Sequence, residues 1–157
     1  MRIEYFQLID RITSIDLAEP KIHTQATIPT ESTIFEGHFP GYPLMPGVLL
    51  IEAMAQTAGW LIIATTKFAR MPFLIGVKEA KFRSFVQPGA ALVGSATIAH
   101  EGSGYTIMDT KLALNGKPVC SAQLSFRVMP FPNPTFETEM RAAGKRLEFP
   151  MEALANG

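Results

Sequence analysis

The sequence predicts an α+β domain: an antiparallel sheet of about six strands wrapped around one long central helix. Three observations carry this. From Gly47 to about Thr66 the chain consists of apolar residues and good helix formers, apolar on nearly every side, so the helix must be enclosed over most of its surface. After it come four segments of strand character, parted by the turn signals Gln87-Pro88-Gly89, Glu101-Gly102-Ser103-Gly104 and Asn115-Gly116. The size, 157 residues with 47% hydrophobic and 18% charged, suits one globular domain with ample core material.

Taken in order, two strand-like segments open the chain, EYFQLIDRITSIDL and KIHTQATIP. The loop GHFPGYPLMPG (37–47) follows, rich in proline and glycine, and Pro46 stands where a helix can begin without missing its N–H. Beyond the helix lie FLIGVKEAKFRSFV, ALVGSATIAH, YTIMDTKLAL and KPVCSAQLSFRV. Asn-Gly between alternating strands is a strong two-residue hairpin signal, and the four segments read as an antiparallel meander. Such a sheet covers only part of an all-round apolar helix, so a second copy is expected to cover the rest. The stretch MPFPNP (129–134) ends the last strand, and Asn133 can cap a helix with Pro134 in its first turn. Phe136, Met140, Ala143 and Leu147 then share one helical face. Residues 1–130 are thus expected to form the body and 131–157 a helical extension packed on it or on a neighbouring subunit.

Composition also excludes classes. Formal net charge is zero, which gives no general attraction to nucleic acid or to an anionic membrane. The single cysteine, Cys120, excludes an intrachain disulfide and a multi-cysteine metal site, and it reads as a small buried residue of a strand. The run Val48 to Ala64 approaches the length of a bilayer span, but Glu52 and Gln56 lie within it and argue for a helix inside a protein. The opening MRIEYFQLIDR turns acidic and polar too early for a secretory signal, so the cytoplasm is the expected location.

Glu52 is the anomaly of the helix. A carboxylate is costly to keep ionised in apolar surroundings, and an enclosed carboxylic acid can donate a proton to a leaving hydroxyl. Gln56, one turn on, can hydrogen-bond and orient it. The plainer reading is a carboxylate paired with a base or reaching solvent. His38 sits in a loop whose prolines and glycines hold an irregular backbone in place, and neutral imidazole is a suitable base near pH 7; the plainer reading is an ordinary loop histidine. Gly47 presents an orphan N–H at the positive end of the helix, suited to a developing oxyanion, unless it merely eases the loop into the helix. A base, an acid and an oxyanion donor together are what loss of water from a β-hydroxy carbonyl compound requires.

The stretch GHFPGYPLMPGVLLIEAMAQTAG closely resembles the signature of the FabZ-type 3-hydroxyacyl-[acyl carrier protein] dehydratases of bacterial fatty acid synthesis, and GVKEAKFRSFVQPG resembles their second signature, with similarity from about Leu8 to Val128. The resemblance implies a hot-dog fold and a homodimer, often a trimer of dimers, with His38 of one subunit and Glu52 of the other meeting at the interface. It implies that Gly47 carries the backbone donor to the thioester carbonyl, that Phe39, Met45, Gln56 and Phe73 border the acyl tunnel, and that neither a metal nor another cofactor is used. Related isomerising enzymes usually carry aspartate where Glu52 stands, so glutamate favours simple dehydration. The partner it implies is the acidic acyl carrier protein, for which Lys78, Lys81 and Arg83, in a stretch that also holds Lys67 and Arg70 against the one acid Glu79, form the expected docking surface.

Three features depart from the family pattern: the opening MRIEYFQLIDRI, Phe73 where relatives can carry a gating tyrosine, and the tail beyond Val128. The first and last resemble a branch linked to very-long-chain hydroxy fatty acids of bacterial outer membranes, hence to lipid A acyl chains. The rivals are an acyl thioesterase of the same fold and a non-catalytic acyl-carrier-binding scaffold; a scaffold needs neither His38 nor Glu52.

Overall fold

The structure, a computed structural model, describes residues 1–154. Strands β1 (Arg11–Asp16) and β2 (Lys21–Thr27) lead to a short helix α1 (Thr33–Gly37) and the long helix α2 (Gly47–Thr65). Strands β3 (Arg70–Phe82), β4 (Ala91–Gly102), β5 (Tyr105–Leu114) and β6 (Lys117–Pro130) follow, then helix α3 (Pro134–Arg146). All six strands form one antiparallel sheet in the order β1-β2-β4-β5-β6-β3.

The sheet curls around α2, which touches β2 to β6. Leu50, Ala53, Met54, Ala58, Leu61 and Ile62 of the helix are all at most 2% exposed. By length and hydropathy α2 could cross a bilayer, but 67% of its apolar window is buried inside the domain, so it is the core helix of this fold. Pro46 occupies the N-cap, one residue before the predicted first turn, and its carbonyl accepts from Leu49 and Leu50.

Two sequence expectations are corrected. The last four strands are not a meander: β4, β5 and β6 are consecutive neighbours, but β3 pairs with β6 on the far side and β2 takes its place beside β4. Gln87-Pro88-Gly89 does make a turn, with Gly89 at φ +84°, yet the segment carrying it crosses the domain instead of closing a hairpin. Val86 is buried there and its carbonyl accepts from Met45 N–H at 2.8 Å. The first strand is also shorter than predicted. Ile3–Tyr5 form a 3-10 turn ended by Phe6 in the left-handed region, and ladder pairing begins only at Arg11. The β5–β6 hairpin follows its sequence signal, with both Asn115 (φ +51°) and Gly116 (φ +78°) left-handed as a two-residue turn demands.

Cys120 lies on β6, fully buried, its thiol against Met54 Sδ at 3.7 Å, and burial pushes the thiol pKa up to about 11. Gly94 on β4 sits where sheet and helix pack tightly. Thr24 of β2 and Thr57 of α2 share a 2.8 Å hydrogen bond across it, and a Cβ at position 94 would stand 2.5 Å from Thr24 Oγ1 and 3.0 Å from Thr57 Oγ1. Gly94→Val should therefore lower stability by about 1–3 kcal/mol through overpacking, read as a fall in the urea midpoint at unchanged slope; an unchanged midpoint would show that the two threonines yield freely.

The extension beyond β6 folds back on the same chain. Asn133 Oδ1 accepts from Phe136 N–H at 2.8 Å and caps α3. Phe131 stacks on Phe68 with centroids 6.5 Å apart, Phe149 packs against Trp60 and Phe68, and Ile12 N–H donates to Leu147 O at 2.8 Å. The buried residue Gly144 is the seat of this contact: a Cβ there would meet the Trp60 ring at 3.2 Å.

Candidate active site

The proline- and glycine-rich loop is held from several sides. Ser32 caps α1 by accepting from Ile34 N–H at 3.1 Å and donates to Glu4 Oε1 at 2.6 Å, a bond that holds the exposed Glu4 carboxyl below the usual carboxylate range. His38 closes α1, its N–H donating to Ile34 O at 3.1 Å and its carbonyl accepting from Leu44 N–H at 2.9 Å. Phe39 and Tyr42 exchange backbone bonds of 3.0 and 2.8 Å. The His38 ring, half-buried, stacks on Phe39 with centroids 4.0 Å apart. The loop then enters α2 at Gly47, where a Cβ would meet the Phe82 ring at 3.1 Å. Among the described residues the Gly47 N–H has no acceptor, as expected of a first-turn donor.

Glu52 borders a cavity of about 160 Å³ whose other walls are almost wholly apolar, including Ala55, Trp60, Ile63, Pro72, Leu74 and Phe126. It makes no ion pair among the described residues, which removes the plainer reading of a carboxylate neutralised by a base. Gln56 Nε2 donates to Glu52 Oε1 at 3.2 Å and to Phe6 O at 2.8 Å, while Gln56 Oε1 accepts from Leu8 N–H at 3.1 Å. The backbone of the N-terminal segment thus pins the amide that orients the acid.

The other predicted site residues disperse. His38 and Gly47 do not line the Glu52 cavity within one chain. Met45 is buried in the core, and Phe39 borders a separate open groove with Phe35 and Pro43. Phe73, exposed on β3, does not line the cavity that its neighbours Pro72 and Leu74 line. Lys78, Lys81 and Arg83 are exposed at the end of β3; Arg83 Nη1 donates to Ser121 Oγ at 2.9 Å. Lys81 and Arg83 flank Phe82, the residue whose ring lies against Gly47. No group of three or more His, Cys, Asp or Glu side chains gathers as metal ligands among the described residues.

Sequence reasoning missed Trp60, Met71 and Met140 as walls of the Glu52 cavity. Trp60 had a legible signal, since it follows Glu52 and Gln56 at i+4 spacing on the same helical face. Met71 and Met140 had none, because only the fold brings β3 and α3 to that face.

A curled antiparallel sheet enclosing one long helix defines the hot-dog class. Its solved relatives include a hypothetical thioesterase with coenzyme A from Streptococcus pneumoniae, which aligns over 78% of this chain and 88% of that one with a TM-score of 0.60 at 14% identity, a likeness of fold alone. Within the class, a family profile described as FabA-like domain matches residues 2–123. A 3-hydroxyacyl-[acyl-carrier-protein] dehydratase FabZ from Lactiplantibacillus plantarum is 37% identical over 121 residues, 76% of this chain and 82% of that protein. A bifunctional enzyme LpxC/FabZ from Chlorobaculum tepidum is 39% identical over 126 residues, 79% of this chain; the chain spans only 27% of that longer protein. The chain belongs to the FabA-like family, among the FabZ-type 3-hydroxyacyl-[acyl-carrier-protein] dehydratases.

Proposed function

We propose that this protein removes water from (3R)-hydroxyacyl thioesters of acyl carrier protein, giving trans-2-enoyl thioesters for fatty acid and lipid A acyl-chain synthesis in the bacterial cytoplasm. The observation that carries the reading is Glu52: a carboxyl group without a cationic partner among the described residues, oriented by Gln56, facing an apolar slot. His38 takes the proton from C2, and the electron pair moves onto the thioester carbonyl, where the Gly47 N–H steadies the oxyanion. The enolate then collapses to the C2–C3 double bond. The C3–O bond breaks, and Glu52 protonates the departing hydroxyl, which leaves as water. Exchange with solvent returns the proton from His38 to Glu52, so the cycle balances without a cofactor.

The unit of activity in this reading is a homodimer. β3 is a free sheet edge with Phe73, Leu74, Ile75 and Val77 exposed, and such an edge is a template for pairing. Phe85, 73% exposed, and Val48 on α2 extend the apolar surface. A partner seated there covers the row and brings its own His38 toward Glu52, which the His38 of the same chain does not face across the cavity. The opposite edge, β1, ends instead in exposed Arg11 and Asp16. Equilibrium sedimentation checks the dimer; a monomer with full activity would remove it.

Turnover is tested by following enoyl-thioester absorbance with carrier-bound substrate, which also separates dehydration from thioester hydrolysis. Lys78, Lys81 and Arg83 are assigned to the acidic carrier protein. Charge reversal at Lys81 and Arg83 should raise KM for carrier-bound substrate several-fold while a pantetheine thioester keeps its KM; equal losses on both would remove the docking assignment.

A further inference from the structure

A second cavity of about 420 Å³ lies beside the one that Glu52 borders, and the two share Gln56, Trp60, Met71 and Met140. Its walls are the N-terminal segment through Phe6 and Ile9, α2 through Trp60, and α3 through Met140, Ala143 and Leu147. At about 30 Å³ per water-sized group, the Glu52 cavity of 160 Å³ takes about five chain atoms and the second about fourteen. A short acyl group is accommodated in the first. A long one has to leave it, and the shared walls lead into the second.

We propose that α3 is the specificity-determining wall of an acyl-tail site: the distal half of a long acyl chain runs from the Glu52 cavity past Trp60 into the groove between α2, the N-terminal segment and α3. This rests on the reading of the protein as an acyl-thioester dehydratase. The family match ends at residue 123, and α3, which begins at Pro134, lies outside it. The helix is firmly placed. Gly144 lets α3 approach the Trp60 ring where a methyl group would stand 3.2 Å away, Arg141 covers the Phe68 ring at 4.6 Å, and Leu147 O accepts from β1. Met140 and Ala143, partly buried and packed against the core, are the apolar residues that α3 turns to the groove together with Leu147. The polar lining residues are Arg2, Gln7, Asp10, Gln56 and Arg146; Asp10 is engaged by Thr27 N–H at 2.6 Å, and Gln56 by Phe6 O and Leu8 N–H.

Trp60 is the single tryptophan of the chain and stands at the junction of the two cavities, so it reports on the tail directly. In the wild-type protein a 16-carbon acyl-pantetheine thioester brominated at mid-chain should quench Trp60 fluorescence, whereas the unbrominated compound should not. Ala143→Phe narrows the groove and should lower the ratio of kcat/KM for the 16-carbon over the 4-carbon 3-hydroxyacyl substrate by about tenfold or more. Absence of quenching in the wild type overturns the tail site, whether or not the variant folds. Quenching with an unchanged ratio in a folded Ala143→Phe overturns the role of α3. Failure of the dehydratase reading shows separately, as absent enoyl product from the 4-carbon substrate while the bromine still quenches.

Discussion

His38→Ala should lower turnover by about 10²–10⁴-fold, the usual contribution of a single general base, with the fold and the oligomer intact. The fold should persist because the loop is held through its backbone. The bonds His38 N–H to Ile34 O and Leu44 N–H to His38 O survive the loss of the ring, as do the Phe39–Tyr42 pair and the Met45–Val86 bond. Only the stacking on Phe39 is lost, at a position already half-exposed. Enoyl-thioester absorbance measures the loss, and circular dichroism with sedimentation checks the frame. Unchanged turnover would remove His38 from the mechanism.

Glu52→Gln should cost as much, for a different reason. The amide oxygen of a glutamine can still accept from Gln56 Nε2, so the side chain keeps its place above Ala55 and Trp60. What disappears is the proton that the leaving hydroxyl needs, and the expected loss is again about 10²–10⁴-fold in kcat with little change in KM. The two variants together also test how each site is assembled. If His38 of one protomer serves Glu52 of the other, a refolded equal mixture of His38→Ala and Glu52→Gln chains contains heterodimers with one intact site. Activity should then return to roughly a quarter of the wild-type value, because half the dimers are mixed and each carries one of two sites. No recovery would place both residues of a site in one chain.

Much of this architecture was legible because it rests on local chemistry. An all-round apolar helix following Pro46 and Gly47, an Asn-Gly turn whose residues both reach positive φ, and an Asn133 cap before Pro134 each carry their cause in two or three adjacent residues. The pairing of β3 with β6 was not legible. Gln87-Pro88-Gly89 declares a turn but not what the chain meets around it: Val86 O accepts from Met45 N–H, about forty residues earlier, a contact with no local signal. The candidate site divides in the same way. Glu52 and Gln56 share a helical face and could be paired from spacing alone, whereas the hold of Phe6 and Leu8 on Gln56 spans about fifty positions of sequence and leaves no local mark. Tyr5 and Phe6, read as part of a strand, instead stay exposed while the turn they form delivers those two backbone groups. For α3 the apolar face was readable, but not the groove it walls.

The concealment of Cys120 has a practical side. Its sulfur nestles among Met54 and the strand residues with a proton that is hard to remove, so maleimides should find no native target on the outside of the molecule. A cysteine engineered at any exposed position would accordingly carry the only reactive label, and together with the lone indole at position 60 it offers a ready-made donor–acceptor ruler for watching the chain at work.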